Sequence, residues 1–247
     1  MVAEAITEDV FMKISEEILK NMEVFQETIN YKFSDVKLLI NAFTHSSYAN
    51  ENKDANYPSN ERLEFLGDAV LSIIVSDYIF KNYPDLPEGE LTRIRASVVC
   101  ELSLAQCTKK LGVGKYMLLG KGEELTGGRE RISILSDAFE AILAAIYLDG
   151  QMEAARKWAL EQLEDTIKSA VNGTGFKDYK TELQEYVQKN SDEKVEYEVI
   201  EEKGPDHDKR FFVRAVYHGN SIGTGNGRSK KEAEQNAAKS ALESLNK

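Results

Sequence analysis

Asn60-Glu61-Arg62-Leu63-Glu64-Phe65-Leu66-Gly67-Asp68-Ala69 (NERLEFLGDA) sets three carboxylates and a phenylalanine into what reads as the first turns of a buried helix. At about 100° per residue, Glu61, Glu64 and Asp68 fall within a stripe roughly 60° wide, while Leu63, Leu66 and Val70 cover the opposite side. Phe65 falls nearer the acids than the core stripe, which makes it a candidate for a contact outside its own domain core. A second segment, Ser133 to Ala141 (SILSDAFEA), repeats the device: Asp137 and Glu140 are i, i+3 neighbours, and Phe139, Ile142, Leu143 and Ile146 mark its buried side. Both acid sets are expected at or close to N-terminal helix turns, where the macrodipole favours negative charge. A dipole accounts for single acids but not for clusters, because gathered carboxylates take up protons unless a cation neutralises them. With oxygen donors and no His or Cys in either segment, the fitting cation is hard and divalent, magnesium or manganese. The chemistry such an ion supports among carboxylates is hydrolysis of phosphodiesters.

Around these two segments, apolar residues recur at helical spacing from about Thr7 to Leu163, which predicts an all-α domain. Breaks fall at Tyr57-Pro58-Ser59, at Tyr83 to Pro87, and in the glycine-bearing loop Gly120 to Gly128. The expected helices cover about 8–29, 35–43, 60–82, 88–110, 131–147 and 151–171. Val171-Asn172-Gly173-Thr174-Gly175-Phe176 has no periodicity and suits a linker. Beyond it the period changes: a helix over Thr181 to Gln188, alternating strands over 194–201 and 210–217, a third strand over 220–225, and a helix over 230–245. The chain therefore reads as multi-domain: an all-α domain over residues 1–171, a linker over 172–177, and a small α+β domain of order α-β-β-β-α over 178–247.

The N-terminal stretch is acidic and amphipathic, unlike a signal peptide, and no apolar run is long enough to span a bilayer, so a cytoplasmic protein with no membrane partner is expected. Cys100 and Cys107 are expected to stay reduced near a helix's buried side. The net charge of −11 over 247 residues argues at first sight against a nucleic-acid partner. Locally the balance differs: residues 178–247 hold 14 acidic and 12 basic side chains, and the deficit lies mainly in the all-α domain.

Glu61 to Ala69 resembles the signature motif of the ribonuclease III family, and Asp137-Ala138-Phe139-Glu140-Ala141 resembles that family's second acidic motif. Gly120 to Glu124 with Gly127-Gly128-Arg129, and His45-Ser46-Ser47-Tyr48, are similar to further motifs of that domain. Lys180 to Glu185, Gly204 to His207 and Ser229 to Glu234 resemble a double-stranded-RNA-binding domain. The resemblance implies a homodimer that holds duplex RNA between its subunits and cuts it with divalent metal, leaving 5′-phosphate and 3′-hydroxyl ends. Such an enzyme would process ribosomal RNA precursors and other structured RNAs, using Mg²⁺, with Mn²⁺ as substitute and no organic cofactor. By the same resemblance Glu64, Asp68, Asp137 and Glu140 are the catalytic metal ligands, Glu61 and Glu88 lie near the cleavage site, and Phe65 enters a pocket of the partner subunit. His45 is expected to support the fold, not catalysis. Two departures are small: Tyr179 stands where proline is frequent before Lys-Thr, and Ser136 where alanine or glycine is frequent before Asp137.

Ser229 and Glu232 match a capping box, which places Lys230 and Lys231 in a helix's first turn, where the dipole disfavours cations. The expected compensation is an external anion, phosphates held by Arg228, Ser229, Lys230 and Lys231, with Gly223, Gly225 and Gly227 allowing close approach of backbone. Thr181, Gln184 and Glu185 share a helix face that can bond ribose hydroxyls, and His207 is placed by the resemblance at a second minor groove. The alternative reading is a dimeric protein that binds duplex RNA without cutting it, which four intact acids disfavour.

Overall fold

The computed structural model describes residues 15–53, 57–175, 179–188, 193–204 and 209–245. The chain divides into two compact units, Met1–Phe176 and Lys177–Lys247. Described residues of the first unit are helical: α1 (Glu16–Thr28), α2 (Val36–Phe43), α3 (Ser46–Glu51), α4 (Glu61–Asn82), α5 (Glu88–Val98), α6 (Glu101–Lys110), α7 (Lys121–Leu125) and α8 (Ile132–Val171), with short 3-10 turns at Val113–Tyr116 and Gly128–Glu130. Helix starts follow local chemistry where it is present: Ser15 Oγ accepts from the Ile18 N–H at 3.2 Å, and Asp35 Oδ1 from the Lys37 N–H at 3.0 Å.

α4 and α8 form the centre of this unit, with α2, α5 and α6 packed around α8. Leu71, Ile74, Phe139, Ile142, Leu143 and Ile146 are fully enclosed between them. Two expectations are corrected. The helix expected over 88–110 is two, because Cys100 adopts an extended backbone after the β-branched pair Val98-Val99. By contrast, the break expected between helices over 131–147 and 151–171 is present: the run from Ile132 to Val171 is interrupted at Gln151, whose φ of 61° and ψ of −174° are not helical. The short α3 and α7 lie in segments read as loops. Cys107 is buried in α6 and Cys100 half-buried before it, both as free thiols.

The second unit comprises α9 (Tyr179–Gln188), β1 (Glu196–Lys203), β2 (Arg210–Tyr217), β3 (Asn220–Gly227) and α10 (Lys230–Leu245). The strands form an antiparallel sheet in the order β1-β2-β3. The β2–β3 hairpin turns through His218 and Gly219, both at positive φ, as a two-residue turn requires. α10 packs on β2, β3 and α9. A Cβ at Gly223, Gly225 or Gly227 would overlap α10, on Ala237 and Ala241, on Asn236 and Ala237, or on Glu232 and Ala233. These alternate residues of β3 therefore admit the helix to the sheet, and the expectation that they admit a ligand is corrected.

Candidate active site

Asn60 anchors the start of α4: its N–H donates to the Thr44 carbonyl at 2.8 Å, and its buried side chain reaches the Ala42 carbonyl at 3.3 Å. Seven residues on, Gly67 meets α8. A Cβ there would overlap the Glu140 carbonyl and lie 2.9 Å from its Cα, so only glycine lets the two backbones approach this closely. That contact brings one acid of α4 onto two of α8. Glu64, Asp137 and Glu140 each offer a carboxylate oxygen within 4.8 Å of the others, and all three are half-buried. Gly67 lies inside the first motif, but its lack of a Cβ gains meaning only once the partner helix is known.

Asp137 and Glu140 are the sixth and ninth residues of α8, beyond the first turn in which a macrodipole acts, so the expected placement near that N-terminus is corrected. Burial raises the affinity of Glu140 for its proton most, and the charges of Asp68, Glu64 and Asp137 add to it, moving its value from 4.5 to about 8. Glu64 is raised by burial and then by Asp137, Glu61 and Asp68. Asp137 is raised by burial, an effect opposed by its contact with Ser136 Oγ at 3.4 Å. Among the described residues no lysine or arginine forms an ion pair with these carboxylates.

The other candidates are placed differently. Asp68 is exposed and outside the close trio, yet it is the first of the neighbouring charges acting on Glu140. Glu61 is exposed and accepts from Ser59 Oγ at 2.8 Å. Glu88 also lies apart from the trio; it accepts from Thr92 Oγ1 at 2.9 Å and lines a groove with Phe80, Leu91 and Arg95. His45 Nδ1 accepts from the Ser47 N–H at 3.2 Å and so caps α3, while its ring favours the charged form of Asp137. Arg129 and Arg131, just after the glycine-bearing loop, form internal contacts. Arg129 pairs with Glu124 at 2.7 Å and donates to the Gly114 and Met117 carbonyls, and Arg131 pairs with Glu123.

In the second unit the capping box is formed: the Glu232 N–H donates to Ser229 Oγ at 3.1 Å, and the Arg228 N–H to Glu232 Oε2 at 2.6 Å. Arg228, Ser229, Lys230 and Lys231 are all exposed. Lys230 Nζ lies 3.7 Å from Glu202 Oε1, an internal anion where an external one was expected. Thr181 and Glu185 are exposed one turn apart on α9. Gln184 instead braces the segment before β1, accepting from the Val195 N–H at 2.9 Å and donating to the Glu193 carbonyl at 3.3 Å. His207 lies outside the described residues.

Three converging carboxylates on two apposed helices, in a chain that also carries a separate module with a lysine-bearing helix start, can be compared with known proteins. Residues 35–167 match the family model described as Ribonuclease-III-like, and residues 179–245 match the Double-stranded RNA binding motif. Ribonuclease 3 of Caldanaerobacter subterraneus subsp. tengcongensis is 50% identical over 220 residues, covering 89% of this chain and 96% of that protein. Ribonuclease 3 of Bacillus cereus is 50% identical over 226 residues, covering 90% and 91%. The solved nuclease domain of ribonuclease III from Campylobacter jejuni superposes with a TM-score of 0.55 at 42% identity, covering 58% of this chain and 96% of that one. The chain belongs to the ribonuclease III family, with a nuclease domain of that type followed by a double-stranded-RNA-binding motif.

Proposed function

We propose that this double-stranded-RNA endoribonuclease holds hard divalent cations, Mg²⁺ with Mn²⁺ as substitute, on Glu64, Asp137 and Glu140, with Asp68 completing the set from the rim. The observation that carries the reading is the half-buried trio with raised proton affinity and, among the described residues, no cationic side chain paired to it. The donors fit such an ion. Three carboxylate oxygens within 4.8 Å of one another, with no His or Cys among them, are the donor set a hard divalent cation takes. When bound, the ion supplies Lewis-acid charge that activates water and stabilises a phosphoryl group.

The protein's part is to hold Glu140 and its neighbours converged, with a raised proton affinity that a bound cation must overcome. Gly67 sets the distance between helices, Ser136 Oγ favours the charged form of Asp137, and the aliphatic packing behind Glu140 limits water. The products are 5′-phosphate and 3′-hydroxyl ends, and the substrates are ribosomal RNA precursors and other structured RNAs in the cytoplasm. Phosphates are taken by Arg228, Ser229, Lys230 and Lys231, and ribose hydroxyls by Thr181 and Glu185.

The enzyme works as a homodimer through α4. Phe65, Ile73 and Phe80 are 81%, 56% and 70% exposed and lie in one stripe about 80° wide, beside the acids. Phe65 and Phe80 stand symmetrically about the midpoint between Ser72 and Ile73. An antiparallel second copy therefore sets each Phe65 against Phe80 of the partner subunit and the groove lined by Ser76, Ile79, Leu91 and Arg95. The C. jejuni nuclease domain has a region described as involved in dimer formation.

Incubation with long duplex RNA, single-stranded RNA and duplex DNA, with and without magnesium, tests the reading. Cutting of duplex RNA alone, dependent on magnesium and lost in Glu140→Ala while binding persists, is the expected result. Binding without cutting in either metal would leave a dimeric RNA-binding protein.

A further inference from the structure

The first turn of α10 presents an electrostatic problem that the chain answers internally. Lys230 and Lys231 sit where exposed N–H groups already carry partial positive charge. At the far end of β1, Glu202 reaches into this region with both carboxylate oxygens: Oε2 pairs with Lys209 Nζ at 2.6 Å, and Oε1 lies 3.7 Å from Lys230 Nζ. The ammonium groups of both lysines stand 5.7 Å from the centre of the Phe211 ring, so the three charges are gathered beside one aromatic surface. The two contacts differ in kind. Lys209 is held at hydrogen-bonding distance, whereas Lys230 stands farther from the carboxylate, at 3.7 Å, and keeps more than half its side chain in solvent.

We propose that Glu202 is a stand-in for phosphate in the RNA-free protein: it neutralises and aims Lys230 beside the α10 N-terminus, and an incoming backbone phosphate displaces it. Glu202 then opposes binding, because each engagement of Lys230 by RNA must break an interaction already made. It stays fastened to Lys209 throughout, which keeps the released carboxylate from following Lys230 toward the phosphate. This rests on the reading that Lys230 contacts RNA, and goes beyond it by naming a residue of the module that weakens the contact.

The test is a double-mutant cycle on the full chain, without divalent metal so that nothing is cut, using a duplex RNA of about 16 base pairs. Glu202→Gln keeps the shape and removes the charge. It is expected to tighten binding about two- to fivefold at low salt, the scale of one exposed ion pair, with the gain shrinking as salt rises. In a Lys230→Ala background the same substitution is expected to change nothing. Unchanged or weakened binding in Glu202→Gln overturns the proposal, and so does an equal gain in both backgrounds, which would be a general charge effect. If Lys230→Ala alone leaves affinity and salt dependence intact, the reading that Lys230 contacts RNA fails and the proposal falls with it. Circular dichroism of each variant separates these results from loss of fold.

Discussion

Around Glu140 the chain half-buries three like charges and supplies no cationic side chain among the described residues, while around Lys230 it leaves the charge in solvent and supplies Glu202. In the first place neutralisation is left to a ligand, so the ligand-free cluster holds a proton to about pH 8. In the second, neutralisation is internal and loose, so a ligand must compete for the lysine. The difference follows from solvent: water screens an exposed ammonium cheaply, but it screens a half-buried carboxylate between packed helices less well. Catalysis needs the first arrangement, because a cation held by strained charge is held tightly and in fixed geometry. Reversible reading of duplex shape needs the second.

The largest effect expected is at the cluster. Glu140→Ala should lower cleavage of duplex RNA by about 10³-fold, the scale of removing a group that acts in the transition state, with binding to duplex unchanged in a gel-shift assay. A loss of binding equal to the loss of cleavage would erase the contrast between the two regions. Gly67→Ala comes next. Its methyl group would overlap the Glu140 carbonyl, so α4 and α8 must separate, at about 1–3 kcal/mol and a Tm lower by several degrees. Magnesium affinity should fall with it, measured by calorimetry, because the oxygens no longer converge. A variant with unchanged Tm and cleavage would show that the close approach is unnecessary. Lys230→Ala should be smallest, weakening duplex binding severalfold and reducing the slope of log affinity against log salt by about one, with cleavage of saturating substrate intact.

The acid stripe of α4 and the capping box at Ser229 were legible in the sequence because both are local: periodicity and a three-residue spacing decide them. So were the strand pattern and the change of period near residue 175. What was hidden depends on partners far along the chain. Asp137 and Glu140 read as acids near a helix start, and only the packing of α8 on α4 shows them deep in their helix and half-buried. Gly223, Gly225 and Gly227 read as a flexible approach to ligand, but their lack of side chains is spent on Ala237 and Ala241 of α10.

On the proposed reading the trio is a cation site whose proton is displaced by metal. For Glu140 the folded-state value, about 8, stands above the ordinary 4.5. Protonation therefore favours the metal-free fold, and the stability it contributes is complete below about 4.5 and lost as the pH rises through about 8. Magnesium must compete with that proton, so its affinity rises across the same window. The most direct measurement is calorimetric titration with Mg²⁺ at several pH values between 6 and 9, in buffers of different ionisation enthalpy to count protons released. The prediction is release approaching one proton per site at pH 6.5, fading above pH 8, and abolished in Glu140→Gln. Magnesium binding with no proton release at any pH, or the same release in Glu140→Gln, would contradict it.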